Sequence, residues 1–289
     1  MRKLFLLALA GFILTLGWTT YSNTTIAHRP HNLDSLMEAH AGDYPVATPL
    51  VAIAPKVPVD GQTVTYGSYD GQSFSGYLAM PQEVTGPLPA LIVIHEWWGL
   101  NDNIKAMTDR LAGEGYTALA VDLYGGEVGA NPEQAGQLKQ AAESNPQRLE
   151  ANLSQAYQYL ENEQKAPKIA SIGWCFGGTM SFKTALLFPQ ELDASVIYYG
   201  GGIQTNSELL EPLQMPILGI FGELDSNPPP ETAREFESVL KSLNKSAEIY
   251  IYENANHAFA NPSGTRYNAE AAEDAWEKTT AFLDKHLKK

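Results

Sequence analysis

One cysteine stands among 289 residues, so no disulfide can form within the chain and the fold must rest on its apolar core. Basic residues are scarce: 19 Lys and Arg against 33 Asp and Glu give a formal charge of −14. A surface this acidic repels phosphate backbones and anionic lipid, which argues against nucleic-acid binding. It identifies no substrate, because a solvated acidic face is its ordinary explanation. Internal repeats and low-complexity tracts are missing, and one large α/β domain can span this length. The longest apolar run, residues 4–16, is short for a membrane span.

That run has a basic start, Met1-Arg2-Lys3, and a polar sequel in Thr19, Thr20, Ser22 and Asn23. The layout is that of a secretory signal peptide, and the small Thr25 and Ala27 put cleavage after Ala27. Residues 1–27 therefore read as an export signal, with a periplasmic or secreted destination. An uncleaved anchor is the alternative, and the only way this reading brings the chain to a membrane. Residues 28–59 contain Pro30, Pro45, Pro49, Pro55 and Pro58 without sustained periodicity. They read as an extended or flexible arm, with one short helix around 33–40. The folded domain is expected at 60–289, as a monomer.

Within it, strand-like runs at 62–69 and 73–80 flank Asp70-Gly71, a hairpin turn signal. Apolar runs then alternate with helical spacing: strands at 90–95, 116–121, 169–174, 194–199, 217–221 and 248–252. Helices are expected at 103–111, within a polar stretch at 132–162, and at 177–187, 231–240 and 269–286. This alternation requires long crossovers between parallel strands. The fold class is α/β, a mostly parallel doubly wound sheet with an N-terminal antiparallel hairpin.

The lone thiol lies in Gly173-Trp174-Cys175-Phe176-Gly177-Gly178, between an expected strand and an expected helix. This is a nucleophile elbow with cysteine in the serine position. A sharp turn there leaves no room for neighbouring side chains, and the helix N-terminus favours a thiolate. The N–H of Phe176 points toward a developing oxyanion. The bland alternative is a buried structural cysteine beside helix-packing glycines. A thiol nucleophile needs an imidazole base, oriented in turn by an acid. Of six histidines, His28, His31 and His40 fall in the arm, His95 ends an early strand and His286 rides a charged terminal helix. His257 remains, in the loop after the last strand, at the carboxyl edge where open α/β sheets place their sites. Asp225 follows the strand ending at Phe221 and keeps the order nucleophile, acid, histidine. Glu223 competes with it.

Together these residues resemble the dienelactone hydrolase family of α/β-hydrolases, over roughly residue 60 to the C-terminus. GWCFGG is similar to the family's cysteine elbow, and Leu91-Ile92-Val93-Ile94-His95-Glu96-Trp97-Trp98-Gly99 to its strand with an HE motif. Val121-Asp122-Leu123-Tyr124 matches its next strand end, and Asp225 and His257 match its acid and base. The resemblance implies that Glu96 regulates the resting thiol and that Trp97 supplies a second oxyanion N–H. It also implies arginines that grip a substrate carboxylate. Asn261 stands where one is expected, and no arginine lies between Tyr124 and Gln147. A pocket of Trp98, Tyr124 and Trp174 is expected to take a more apolar ester or lactone. No cofactor is implied. His95-Glu96 has no second histidine at zinc-helix spacing, so no metal is expected.

The leading reading is thus a cysteine hydrolase acting on a small-molecule ester or lactone through an acyl-enzyme. Two others stay open: a hydrolase-like ligand-binding protein without turnover, and a glutamine amidotransferase-like enzyme, which also carries a cysteine elbow.

Overall fold

The computed structural model describes Met37, His40 and residues 42–288. The chain divides into Met1–Asn32 and Leu33–Lys289, and every described residue lies in the second unit. The expected signal peptide, and most of the helix expected around 33–40, fall outside the described residues. Among the described residues no helix is long and apolar enough to cross a membrane.

Eight strands form one sheet in the order β1-β2-β4-β3-β5-β6-β7-β8. β1 (Val59–Tyr69) and β2 (Gln72–Pro81) make the expected hairpin, with Asp70 and Gly71 both at positive φ, 48° and 75°. Such a two-residue turn matches the strand twist, and Asp-Gly accepts the required backbone. β2 pairs antiparallel with β4 (Thr117–Val121), and every later pairing is parallel: β3 (Ala90–Ile94), β5 (Ile169–Trp174), β6 (Ala194–Tyr198), β7 (Ile217–Gly222) and β8 (Ala247–Tyr252). All residues of β3, β4, β5, β6 and β7 are buried. Their unbroken apolar runs are what a parallel sheet covered on both faces demands.

The helices are α1 (Asp102–Gly113), α2 (Pro132–Glu143), α3 (Pro146–Asn162), α4 (Phe176–Leu187), α5 (Ser207–Leu210), α6 (Pro230–Ser242) and α7 (Ala269–Leu287). Several start on an asparagine whose side chain accepts a first-turn N–H: Asn101 from Ile104, Asn131 from Gln134, Asn268 from Ala271. The same chemistry splits the polar stretch at 132–162 in two. Pro146 cannot continue α2, and Asn145 caps α3 by accepting from the Arg148 N–H.

Residues 42–58, the described part of the expected arm beyond His40, are tied to the domain. A 3-10 turn at Pro49–Ala52 buries Leu50. Asn103 on α1 accepts from Thr48 Oγ1 at 2.9 Å and donates to the Val46 carbonyl at 3.0 Å. Asp43 accepts from the N–H and hydroxyl of Thr265 at 2.7 and 2.8 Å.

Candidate active site

The elbow forms where β5 hands over to α4. Cys175 has φ 55° and ψ −115°, a conformation non-glycine residues rarely hold. Its N–H donates to the Tyr198 carbonyl at 3.0 Å, which fixes the turn against β6. A Cβ on Gly173 would come within 2.2 Å of the Gly177 carbonyl oxygen, and one on Gly177 within 2.2 Å of that of Ile94. Glycine is therefore a steric requirement of this turn. Phe176 opens α4, so the helix gives its N–H no partner.

The structure brings Cys175, His257 and Asp225 together. His257 Nε2 lies 3.1 Å from Cys175 Sγ, and His257 Nδ1 lies 2.9 Å from Asp225 Oδ2. All three are buried, at 7%, 6% and 3% exposure. Asp225 is in turn held by the Asn227 N–H at 2.7 Å. Glu223, its competitor, is exposed and faces Arg234 at 3.9 Å. Burial pushes the thiol toward its neutral form, but the charge and hydrogen bond of His257, with a contribution from His40, outweigh it and hold the pKa well below the ordinary value. Burial likewise opposes a charged His257, and Cys175 and Asp225 together raise it well above the usual imidazole range. The favoured state is a thiolate–imidazolium pair.

Glu96, at the end of β3, is buried beside this pair. Its Oε2 accepts from Asn261 Nδ2, while Oε1 has no partner. The residue standing in place of an arginine thus holds a carboxylic group by a neutral hydrogen bond. Burial, and then the Cys175 charge, push Glu96 up to about 8. His95 pins the neighbouring loops. Its Nε2 accepts from the Leu123 N–H, so Nδ1 donates to the Glu96 carbonyl. Asp122 accepts from the N–H groups of Tyr124 and Gly126 and shapes the loop after β4.

A third imidazole is present that the sequence placed in the arm, at the end of its expected short helix. His40 is 2% exposed and stacks on Trp97 with ring centroids 4.3 Å apart. Its Nδ1 lies 2.8 Å from Asp43 Oδ2 and 2.8 Å from an Arg266 nitrogen, while its Nε2 has no hydrogen-bond partner. Ligand atoms of His40, Cys175 and His257 lie within 4.8 Å of one another, the one such group among the described residues that could share a metal ion. A His-to-Asp spacing of three, at 40 and 43, was the only local signal of this contact, and it is too common to read. Arg266 was missed for the same reason.

Of the expected pocket residues, Trp174 lines a cleft of about 730 Å³ that also touches Leu50, Met107, Arg110, Tyr198 and Trp276. A narrower space against Glu96, Tyr199 and Asn261 shares Trp174, Leu50 and Met107 with it. Tyr124 stacks on Phe176 at 5.8 Å with its hydroxyl buried. Trp98 is buried against Trp97, ring centroids 4.9 Å apart, and lines neither of these two cavities.

A model of the dienelactone hydrolase family matches residues 74–287. A carboxymethylenebutenolidase-like protein of Saccharolobus solfataricus is 35% identical over 252 residues, which cover 74% of this chain and 95% of its own length. A second such protein, from Escherichia coli, is 31% identical over 263 residues, 85% of this chain and 96% of its own. A dienelactone hydrolase-like crystal structure from Klebsiella pneumoniae superposes with a TM-score of 0.69 at 28% identity, over 78% of this chain and 98% of that one. Acylaminoacyl peptidase from Pyrococcus horikoshii, at 16% identity and a TM-score of 0.62, shares the fold alone.

Proposed function

This chain belongs to the dienelactone hydrolase family of ester-hydrolysing enzymes, and from there we propose that it cleaves a lactone or carboxylic ester through an acyl-enzyme on Cys175. One observation carries the proposal: the unbroken hydrogen-bonded line from Asp225 through His257 to the Cys175 sulfur, with steps of 2.9 and 3.1 Å. In that line the thiolate attacks the carbonyl carbon. The N–H groups of Phe176 and Trp97 take up the oxyanion, worth about 3 kcal/mol for a well-placed donor. Collapse expels the alcohol, and water then releases the acid from the thioester, with His257, oriented by Asp225, managing protons.

The substrate class follows from what replaces charge. Asn261 is spent on Glu96 and offers no cation for a substrate carboxylate. The cleft at Trp174 is walled by Pro49, Leu50, Met107 and Trp276, with Lys56, Arg110, Glu273 and Glu277 among its polar groups. Arg110 is spent on the Trp276 ring at 4.1 Å. An ester or lactone with an apolar acyl portion fits better than dienelactone itself. Residues 1–27 are proposed as the export signal and 28–59 as the arm that precedes the domain.

The test is turnover of dienelactone, p-nitrophenyl acetate and longer acyl esters, with and without Cys175→Ala. Cysteine-dependent hydrolysis, best on apolar acyl groups, is expected, with the fold of the variant intact. Unchanged activity in Cys175→Ala would remove the cysteine from the mechanism.

A further inference from the structure

We propose that His40, backed by Asp43, is a second catalytic residue of this site and takes over from His257 part of the proton traffic assigned to it above, giving a proton to the leaving group and taking one from the hydrolytic water. The inference rests on Cys175 being the nucleophile.

Two carboxylate–imidazole pairs converge on one sulfur. Asp225 holds His257 at 2.9 Å, and Asp43 holds His40 at 2.8 Å. A ring nitrogen of His40 lies within 4.8 Å of both Cys175 Sγ and a ring nitrogen of His257. Asp43 holds Nδ1, and the Arg266 nitrogen near it also donates to Asp43 Oδ2 at 3.1 Å. Nε2 is left, buried and without a well-formed hydrogen bond, near enough to the thiol for His40 to help lower the Cys175 pKa. A buried imidazole nitrogen left without a partner is costly unless something that binds there meets it.

The ring also packs against two aromatic neighbours. It stacks on Trp97 and meets His257 nearly edge-on, at 5.7 Å and 87°. Asp43 is fixed by the Thr265 N–H and hydroxyl and by Arg266 at 3.1 Å. Positioning of this quality is a costly arrangement that an inert arm would not need. His40 lies outside the stretch matched by the family model.

The chemistry has room for it. In the resting site His257 carries its proton between the thiolate and Asp225. Once the sulfur is bonded to carbon only Asp225 still holds it, and a second acid beside the same sulfur adds a proton source for the leaving group. When the tetrahedral intermediate collapses, the C–O bond breaks and its electron pair stays on the departing oxygen. That oxygen takes the Nε2 proton of the His40 imidazolium, leaving His40 neutral. Nε2 then accepts a proton from water as the water oxygen bonds to the thioester carbon. The C–S bond breaks, its pair returns to sulfur beside His257, and His40 is again protonated. One ester and one water give one acid and one alcohol.

The experiment compares leaving groups. A p-nitrophenolate departs without a proton, whereas ethoxide needs one. In His40→Asn, the p-nitrophenol burst from p-nitrophenyl acetate should stay within about threefold of the parent, while ethyl acetate hydrolysis falls about 100-fold. Asp43→Asn should show the same asymmetry more weakly, and it carries the comparison if His40→Asn does not fold. A p-nitrophenol burst slowed as much as ethyl acetate hydrolysis would reduce His40 to a structural part. No loss, or faster turnover, would make it only a cover over the thiol. Either overturns the proposal. Activity surviving Cys175→Ala is a separate result, which fails the nucleophile and not His40 alone.

Discussion

At Cys175 burial and charge oppose one another, and charge wins. Burial disfavours a thiolate, yet His257 at 3.1 Å and the nearby His40 bring the pKa well below that of a free thiol. Iodoacetamide should therefore alkylate Cys175 at pH 6 nearly as fast as at pH 8. His257→Ala should restore the steep rise with pH of an ordinary thiol, measured as the pseudo-first-order rate. Glu96 adds a second titration. With its pKa raised to about 8, it is neutral at pH 7 and gains a charge above pH 8, close to where the oxyanion forms. A negative charge there opposes a developing negative oxygen, so kcat/KM should fall as pH rises through about 8. Glu96→Gln, which cannot ionise, should flatten that limb of the profile. An unchanged limb would mean that another group controls it. That Cys175, Asp225 and His257 would meet was legible in the sequence because chain order and strand ends constrain them. His40 and Arg266 were not, because a contact made by single side chains distant in sequence leaves no periodic trace.

The elbow is an element whose geometry is dictated by what surrounds it. A Cβ at Gly177 would lie 2.2 Å from the Ile94 carbonyl oxygen and 2.6 Å from that of His95. Neither can retreat: Ile94 belongs to the buried β3, and His95 is pinned between Glu96 and Leu123. Gly177→Ala should cost about 3 kcal/mol and lower the melting temperature by roughly 6–12 °C. It should also displace α4 and with it the Phe176 N–H. Gly86→Ala, with nothing within 4 Å of the added methyl, should melt unchanged and serves as the control. Elements of this kind were readable in advance. Strands buried on both faces write themselves as short apolar runs, and asparagine or proline at helix starts sets boundaries. Where one polar run covered α2 and α3, periodicity alone missed the break that Asn145-Pro146 imposes. The four-residue α5 was missed because one helical turn shows no period.

On the scale of the whole molecule, the arm joins distant parts of the domain. It rests on α1 through Thr48, Val46 and Asn103, buries Leu50 beside the cleft, and reaches the loop after β8 through Asp43, Thr265 and Arg266. Its prolines and lack of period imply an irregular backbone. They were silent on docking, because the anchors are single polar side chains supplied by the domain. If docking holds the site together, loosening one end should be felt at the other. Leu50→Ala removes about 2 kcal/mol of burial, and Asn103→Ala removes hydrogen bonds of about 1 kcal/mol each. Neither residue touches the sulfur. In the double variant, amide exchange across 42–58 should rise toward that of free chain while β3 and β5 keep their protection. Ethyl acetate hydrolysis should fall in proportion to the time the arm spends undocked. Raising the arm's exchange without changing turnover would show that the domain works with the arm released, and would sever the arm's packing from the chemistry at Cys175.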